Sequence, residues 1–321
     1  MPEQLNIDDS GLPPHVDATV VTVGTFDGVH RGHRDVIERL VARARSLGVP
    51  SVLVTFEPHP LEVVNPLAAP LLLTLHDEKL EVLAETGLDY MAVLPFTPAL
   101  AAHSAEDFVE LVLRRCFRLR ELLIGYDHGF GRQRAGNVAV LRTLGERDGF
   151  KVDVVDPVST GEGLSVSSTS IRRAVAGGDL IRAADALGRA YSVSGKVIPG
   201  AQRGRTIGFP TINLGPPRPR KLLPPEGVYA VRVQTPSGAF GGMMNLGPRP
   251  TFGDSATSLE VHLFDKSGDS YGEYVRVDFV ARLRDTRKFS SVEQLTKQLA
   301  HDEREARNAL TQPIAAGNLN G

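Results

Sequence analysis

Two histidines and three glycines lie within one short segment, residues 24–33, whose sequence is GTFDGVHRGH. It follows the β-branched apolar run 19–23, and a helical pattern of apolar residues then continues to Gly48. Glycines let the backbone approach a ligand, and free N–H groups at a helix N-terminus favour phosphate. The imidazoles of His30 and His33 can add donors where phosphate charge builds up. An anion site fits this segment, and so does a plain strand–turn–helix whose histidines are solvated caps.

A second segment, VSSTSIRR at 166–173, offers hydroxyls at the start of a helix, followed by arginines. Hydroxyl and backbone N–H groups can donate to a triphosphate, and a guanidinium can bind two phosphate oxygens at once. On these residues alone, a Ser/Thr helix cap with solvated arginines is the simpler interpretation. Neither common phosphate-loop signature, GxxxxGK[ST] or a GxGxxG after a strand, occurs in the chain.

A third segment, 195–213, is rich in glycine and ends in GFPTIN. Dense glycine within β structure marks a bend, a bulge or a close backbone approach, and together with Arg205 it could fold over the phosphates of a nucleotide. Thr211 and Asn213 offer hard oxygen ligands of the kind that Mg²⁺ accepts beside water and phosphate. An ordinary turn between strands fits this segment as well.

Strand and helix patterns alternate through the first half of the chain. Strands are predicted at 19–23, 51–56, 90–94, 121–125 and 151–156. This alternation predicts a parallel sheet covered by helices on both faces, with ligands at the carboxyl ends of its strands. The loop FEPHP at 56–60 follows the second strand, and the polar glycine-rich loop 126–132 follows the fourth. The second of these loops is either a further binding loop or an ordinary connection.

The spacing of apolar residues changes in the second half of the chain. Residues 174–187 form a helical pattern interrupted at Gly177 and Gly178, and from Tyr191 onward apolar and polar residues alternate. Alternation with closely spaced turns predicts antiparallel strands in a small barrel or a sandwich. An amphipathic helix is predicted from Ser290 to about Leu310, followed by a frayed tail.

The composition is that of a globular protein and narrows the classes of function. The chain has 321 residues, a net charge of −2 and one cysteine. Two domains are natural at this length, and the slightly acidic charge argues against general nucleic-acid binding. A single cysteine forms no intramolecular disulfide, and the sequence patterns predict neither a signal peptide nor a membrane-spanning run. We therefore expect a cytoplasmic location and no membrane partner, while the oligomeric state is not specified.

Four motifs in the first half, GTFDGVHRGH, FEPHP, IGYDHGFG and VSSTSIR, resemble in order the adenylyltransferase half of prokaryotic bifunctional riboflavin kinase/FAD synthetases. The resemblance implies a Rossmann-like nucleotidyltransferase domain of the HxGH type, with His30, His33 and Arg172 as catalytic residues. Its implied ATP contacts are Gly24, Thr25, Phe26, Asp27, Gly28, Gly32, Ser167, Ser168 and Thr169. Its implied flavin contacts are Phe56, Pro58, His59, Asp127 and Phe130. His128 and Ser170 depart from the family pattern, which usually has an aromatic residue and often an arginine there.

The second half resembles the riboflavin kinase of the same family through GFPTIN, PEGVY at 225–229, GPRPTF at 247–252 and LEVH at 259–262. This resemblance implies an antiparallel β-barrel with a terminal α-helix, in which Thr211 and Asn213 hold Mg²⁺ and Glu260 is the base. The implied ATP contacts are Gly195, Gly200, Gly204, Arg205, Gly208 and Pro210, and the implied flavin contacts are Arg284 and Phe289. Thr286 departs from the family pattern, which commonly has an acidic residue there.

The predicted organisation is a flexible N-terminus (1–15), an FMN adenylyltransferase domain (16–187), a riboflavin kinase domain (188–313) and a tail (314–321). The implied chemistry is phosphorylation of riboflavin to FMN with ATP and Mg²⁺, then adenylylation of FMN to FAD with a second ATP and release of pyrophosphate. One alternative is an enzyme of the same class with another phosphorylated acceptor, such as phosphopantetheine. Another is a protein that only stores or senses flavin.

Overall fold

The computed structural model describes residues 2–5, 12–126, 131, 136–156, 166–200, 203–248 and 257–311. The chain divides into two compact units, Met1–Ser167 and Ser168–Gly321. The helical residues 168–187 therefore group with the second unit, whereas the sequence patterns group them with the first. None of the described helices is long and apolar enough to cross a membrane.

The first unit is built on a six-stranded sheet with the order β1-β4-β3-β2-β5-β6. All of its pairings are parallel, which confirms the predicted sheet. The strands are β1 (Glu3–Leu5), β2 (Thr19–Val23), β3 (Ser51–Glu57), β4 (Tyr90–Pro95), β5 (Leu119–Gly125) and β6 (Lys151–Val155). β1 extends the sheet beyond β4, within the stretch where the sequence predicts a flexible N-terminus.

Helices cover both faces of this sheet. They are α1 (Arg31–Leu47), α2 (Pro60–Val64), α3 (His76–Ala84), α4 (Pro98–Ala102), α5 (Ala105–Phe108), which continues as a π-helical turn (Val109–Arg114), and α6 (Val138–Asp148). Successive strand residues point to opposite faces. Accordingly, Val20 and Leu53 belong to one hydrophobic cluster, whereas Val21 and Val54 belong to another. Burial on both faces explains why the central strands consist of near-continuous apolar residues.

The order of the strands reverses at β2. Its neighbours are β3 on one side and β5 on the other, so the chain winds in opposite directions from this point. In open α/β sheets, the crevice at the carboxyl ends of strands beside such a reversal is where ligands bind. The segment 24–33 leaves the sheet at this point and leads into α1.

The second unit contains a closed barrel with the strand order β10-β11-β8-β7-β12-β9. All of its pairings are antiparallel. Because the sheet closes on itself, the barrel is the correct one of the two predicted architectures. Its elements are α7 (Ser168–Ala176), α8 (Leu180–Leu187), β7 (Ser192–Ile198), β8 (Ile212–Leu214), β9 (Gly227–Thr235), β10 (Gly238–Pro248), β11 (Thr257–Leu263), β12 (Tyr274–Arg284) and α9 (Val292–Thr311). The terminal helix α9 packs on the barrel through Ala306, which clusters with Ala230, Met243 and Phe264.

Candidate active sites

The two histidines of the first segment form a stacked pair at the start of α1. His30 caps the helix, since its Nδ1 accepts a hydrogen bond of 3.3 Å from the backbone N–H of His33. The two imidazole rings stack with centroids 3.6 Å apart, and the ring of Phe26 meets His33 edge-on at 5.0 Å. His30 is only 7% exposed, so it is a buried cap and not a solvated one. The stack places two imidazoles side by side at a helix N-terminus, where an anion would be stabilised.

Asp27 holds this turn against the segment that precedes α3. Its buried carboxylate accepts hydrogen bonds from the backbone N–H of Leu73 at 3.0 Å, the N–H of Thr74 at 2.9 Å and the Thr74 hydroxyl at 3.2 Å. The Thr74 hydroxyl oxygen in turn accepts from the backbone N–H of Gly28 at 2.9 Å. Leu73 and Thr74 were not singled out from the sequence. No local pattern could reveal them, since they lie 46 residues or more from their partners.

The backbone of the turn adopts conformations that are costly for ordinary residues. Phe26 has a φ of 46° and Val29 a φ of 40°, both in the left-handed region. Such a conformation costs about 1–3 kcal/mol at a non-glycine residue and persists only where the surroundings enforce it. Both side chains are buried, at 3% and 0% exposure, so their packing supplies that enforcement. Stored backbone strain of this kind concentrates at functional sites.

The FEPHP loop has structural contacts of its own. Phe56 is buried against the rings of Phe96 and Phe108, at centroid distances of 5.3 Å and 6.2 Å. His59 caps α2, because its Nδ1 accepts from the N–H of Leu61 at 3.2 Å. Within the described parts of the chain, no group of three or more His, Cys, Asp or Glu side chains could hold a metal ion. Flavin binding by Phe56, Pro58 and His59 stays a prediction, and Asp127, His128 and Phe130 lie outside the described residues.

The hydroxyl-rich segment begins a helix, as its sequence predicts. α7 starts at Ser168, and Arg172 lies one turn further along it. Ser167, Ser168 and Arg172 are half-buried, while Thr169 is exposed. Their contact with ATP stays a prediction.

In the second unit, the barrel register brings the predicted base and one of the two predicted metal ligands together. Glu260 on β11 lies directly opposite Asn213 on β8 and opposite Asn245 on β10. Residues paired in this way project from the same face of a sheet. The neighbours of Glu260 along the strand, Leu259 and Val261, are buried in the barrel, so this row lies on its outer face. Asn245 is a further polar neighbour that the sequence patterns did not identify.

Two glycines of the 195–213 segment are required by close packing. A Cβ on Gly200 would lie 2.0 Å from Asn213 Nδ2, and a Cβ on Gly204 would lie 2.1 Å from the Phe209 carbonyl oxygen. The N–H of Phe209 also donates to the Gly204 carbonyl at 2.9 Å. Gly195 differs, because a Cβ there would make only ordinary contacts with Leu214 at 3.5 Å. The absence of side chains at Gly200 and Gly204 thus lets the segment fold onto Asn213 and onto itself.

A pocket opens beside this segment. Arg205, Pro210 and Thr211 form one wall, and the connection between β11 and β12 supplies Lys266, Asp269, Ser270 and Tyr271. The connection was not singled out from the sequence, although Gly268 and Gly272, both with a φ of 83°, mark its turns. His262, two residues after Glu260, fixes the pocket's edge, because its Nδ1 lies 2.7 Å from the Pro210 carbonyl oxygen and donates to it. The pocket therefore combines two cationic side chains, the Asp269 carboxylate, hydroxyls and the predicted metal ligand Thr211.

The predicted flavin contact Arg284 is engaged within the unit. Its Nε donates to both carboxylate oxygens of Asp302 at 2.9 Å and 3.0 Å, and its Nη2 donates to Oδ2 at 2.6 Å. Asp302 is 2% exposed and also accepts from Gln298 Nε2 at 2.6 Å. Phe289 packs under the guanidinium of Arg287, 4.8 Å from its ring centroid. Arg284 thus fastens β12 to α9, and its contact with flavin, like that of Phe289, stays a prediction.

Comparisons with known proteins agree with both halves of this description. One family model, FAD synthetase, matches residues 12–170, and a second, riboflavin kinase, matches residues 187–310. The bifunctional riboflavin kinase/FMN adenylyltransferase of Escherichia coli K12 is 38% identical over 303 residues, which are 92% of this chain and 95% of that protein. The protein of that description from Pseudomonas fluorescens is 39% identical over 305 residues, which are 95% of this chain and 96% of its own.

A solved structure gives the same result for the fold. A crystal structure described as a macrolide-efflux protein from Streptococcus pneumoniae matches with a TM-score of 0.83 and 32% identity, covering 96% of this chain and 98% of its own. Two family models thus match in series, and the curated relatives span nearly the whole chain. The chain therefore belongs to the family of bifunctional riboflavin kinase/FMN adenylyltransferases.

Proposed function

We propose that this chain converts riboflavin to FMN in its barrel unit and FMN to FAD in its parallel-sheet unit, using ATP in both steps. The observation that carries the proposal is the barrel register, which sets Glu260 directly opposite Asn213 on the outer face of the barrel. A kinase of this kind needs a carboxylate and oxygen ligands for the metal–nucleotide side by side. The stacked His30–His33 pair at the strand-order reversal supports the second activity in the same way.

In the kinase step, Glu260 accepts the proton of riboflavin's terminal ribityl hydroxyl as that oxygen attacks the γ-phosphate of ATP. Its position on a strand of a closed barrel keeps the carboxylate in a defined place. Arg205 and Lys266 in the adjacent pocket would bind the phosphates of the nucleotide. Positioning of the substrates and stabilisation of charge account for most of the rate in phosphoryl transfer. The phosphate-binding residues of the pocket would therefore contribute to the rate together with the base.

Thr211 and Asn213 fit Mg²⁺ by their chemistry. Both offer neutral oxygen donors, and Asn213 lies directly opposite Glu260. Magnesium binds few protein ligands when phosphate and water complete its shell. When bound, the ion would neutralise charge on the phosphates of ATP. Close packing restricts the position of Asn213, because its amide packs against the Cα of Gly200.

In the adenylyl step, a phosphate oxygen of FMN attacks the α-phosphate of ATP, and pyrophosphate leaves. This nucleophile is already ionised, so no general base is needed. His30 and His33 would donate hydrogen bonds to the charge that develops on the phosphates. The 17-residue helix α1 adds the positive end of its dipole to the same place.

The direct test is chromatography of a reaction that contains the purified chain, riboflavin, ATP and Mg²⁺. We expect FMN to form first and FAD to follow. A parallel reaction is started with FMN, so that the adenylyl step is tested even without the kinase step. Absence of FMN from the first reaction would contradict the kinase assignment, and absence of FAD from the second would contradict the adenylyltransferase assignment.

A further inference from the structure

A buried hydroxyl of the second unit lines the pocket beside the 195–213 segment. Ser270, in the connection between β11 and β12, is 2% exposed and forms part of the pocket wall. Among the residues that the structure describes, none donates a hydrogen bond to its Oγ or accepts one from it. Buried polar groups nearly always have such a partner, so an unpartnered hydroxyl at a ligand pocket points to a partner outside the chain.

The backbone around Ser270 is held in place, although its hydroxyl is not. The Ser270 carbonyl accepts from the backbone N–H of Glu273 at 3.0 Å, and the N–H of Gly272 donates to the Val197 carbonyl of β7 at 2.9 Å. The Glu273 carboxylate does not supply the missing partner, since Ser270 Oγ forms no hydrogen bond with any described residue. A serine side chain has one χ1 angle with three staggered positions. The hydroxyl can therefore turn toward a group that enters the pocket while the backbone stays where it is.

The side chains that line the pocket favour different parts of a nucleotide. Arg205 and Lys266 are the cations to which the proposed function assigns the phosphates of ATP. Asp269 directly precedes Ser270, and its carboxylate would repel a phosphate. Tyr271 directly follows Ser270 and is 40% exposed, so its ring offers a surface on which a nucleobase can stack. The turn that carries Ser270 therefore suits the uncharged nucleoside part of the ligand better than its phosphates.

We infer that Ser270 binds the nucleoside part of the nucleotide in the kinase pocket, where its hydroxyl gains the hydrogen bond that the protein alone does not provide. This inference rests on the proposed kinase function. It gives the hydroxyl two effects of opposite sign. In the nucleotide-free protein the buried hydroxyl destabilises the fold, because it has lost water and gained no partner. In the complex it strengthens nucleotide binding. A hydroxyl that serves the fold alone would instead stabilise the protein and leave binding unchanged.

The test compares Ser270→Ala with Ser258→Ala in the full chain. Ser258 is also buried, at 4% exposure, but its Oγ donates to the Gly247 carbonyl at 3.1 Å. In Ser270→Ala we expect the melting temperature of the nucleotide-free protein to rise by about 2–4 °C, because an unsatisfied buried group is removed. In Ser258→Ala it should fall by about the same amount, because a hydrogen bond within the protein is lost. Scanning calorimetry measures both shifts.

Binding is measured in the same variants as KM for ATP in FMN formation. Ser270→Ala should raise this KM about five- to tenfold, while kcat and the KM for riboflavin change less than about twofold. Ser258→Ala should change the KM for ATP less than about twofold. ADP should inhibit FMN formation about five- to tenfold less strongly in Ser270→Ala than in wild type. Tripolyphosphate, which has no nucleoside, should inhibit both proteins equally.

The outcomes separate a failure of this inference from a failure of the proposed function. An unchanged KM for ATP in Ser270→Ala would overturn the inference, and so would a melting temperature that falls as in Ser258→Ala. Equal weakening of inhibition by ADP and by tripolyphosphate would overturn it too, since the hydroxyl would then bind phosphate. A wild-type chain that forms no FMN would instead contradict the proposed kinase function. Conversion of supplied FMN to FAD in the other unit should be unchanged in both variants.

Discussion

In the first unit, side-chain hydrogen bonds hold the loop after β2 in place. In the second unit, the segment before β8 instead packs closely because two of its residues are glycines. Asp27 and Thr74 form four buried hydrogen bonds that keep the first loop in a conformation with positive φ at Phe26 and Val29. Gly200 and Gly204 instead make room for Asn213 and Phe209. Two loops that are both proposed to bind phosphate can thus be shaped by polar contacts or by close packing, and we expect substitutions in them to have different effects.

The largest effect is expected from a substitution that inactivates only one of the two units. Glu260→Gln removes the proposed base while keeping the size of the side chain, so FMN formation should fall about 10²–10⁴-fold. Conversion of supplied FMN to FAD should be unchanged, and separate chromatographic assays of the two steps measure this. Glu293→Gln, at an exposed position of α9 that is ion-paired with Lys297 at 2.8 Å, is the matched control. Loss of both steps, or of neither, would refute the division of labour.

Adding one methyl group tests the packed loop. In Gly200→Ala, the new Cβ would overlap the Asn213 amide, which must then move from its present position opposite Glu260. Overpacking of this kind costs about 1–3 kcal/mol, so we expect kcat/KM for riboflavin phosphorylation to fall about 10–100-fold. Gly195→Ala adds the same atom at a position where it would make only ordinary van der Waals contacts, so it should change the rate less than about threefold. Equal behaviour of the two variants would show that close packing is not what holds this loop.

Removing one hydroxyl tests the hydrogen-bonded loop. Thr74→Val keeps the shape of the side chain but removes the hydroxyl that accepts from the Gly28 N–H and donates to Asp27 Oδ1. Loss of these two buried hydrogen bonds costs about 1–3 kcal/mol, and we expect FAD formation to fall about tenfold. Thr74→Ser retains the hydroxyl and should keep most of the activity, while FMN formation in the other unit is unaffected. If the valine and serine variants are equally active, the hydroxyl does not hold the turn.

The smallest effect is expected from the one polar contact considered in the packed loop, the hydrogen bond from His262 to the Pro210 carbonyl. His262→Phe retains the ring that packs on Phe209 and Phe264 but loses the donor to the Pro210 carbonyl. An exposed hydrogen bond contributes about 0.5–1.5 kcal/mol, so KM for ATP in the kinase step should rise about threefold. His262→Asn places a donor near the position of Nδ1 and should behave closer to wild type. A phenylalanine variant with unchanged KM would leave close packing as the main support of this loop.

The sequence patterns predicted the elements better than the contacts between them. The apolar runs of β2 and β3 and the alternation in β9 and β12 correspond to strands, because burial on two faces or on one leaves a clear period. β1 is only three residues long and polar at two of them, so no period could identify it. Short elements of this kind depend on the neighbouring strand and not on their own composition.

The site residues also differ in whether the sequence could predict them. The glycines and histidines of the first segment were found from their types and spacing, and the structure brings His30 and His33 into one stack. The engagement of Arg284 with Asp302 spans 18 residues and that of Asp27 with Thr74 spans 47, and neither leaves a local signature. The resemblance predicted a set of site residues, and the fold shows that two of them, Asp27 and Arg284, hold other segments in place.

The short strand β1 also has a practical consequence for handling the protein. It covers the outer edge of β4, with Glu3, Gln4 and Leu5 paired to Tyr90, Met91 and Ala92. A chain shortened past residue 5 would expose the backbone N–H and C=O groups of β4 as a free edge. Exposed edges of this kind pair with other chains and promote aggregation. Affinity tags are therefore better attached with these three residues left intact, since losing them would lower the soluble yield before it changed either activity.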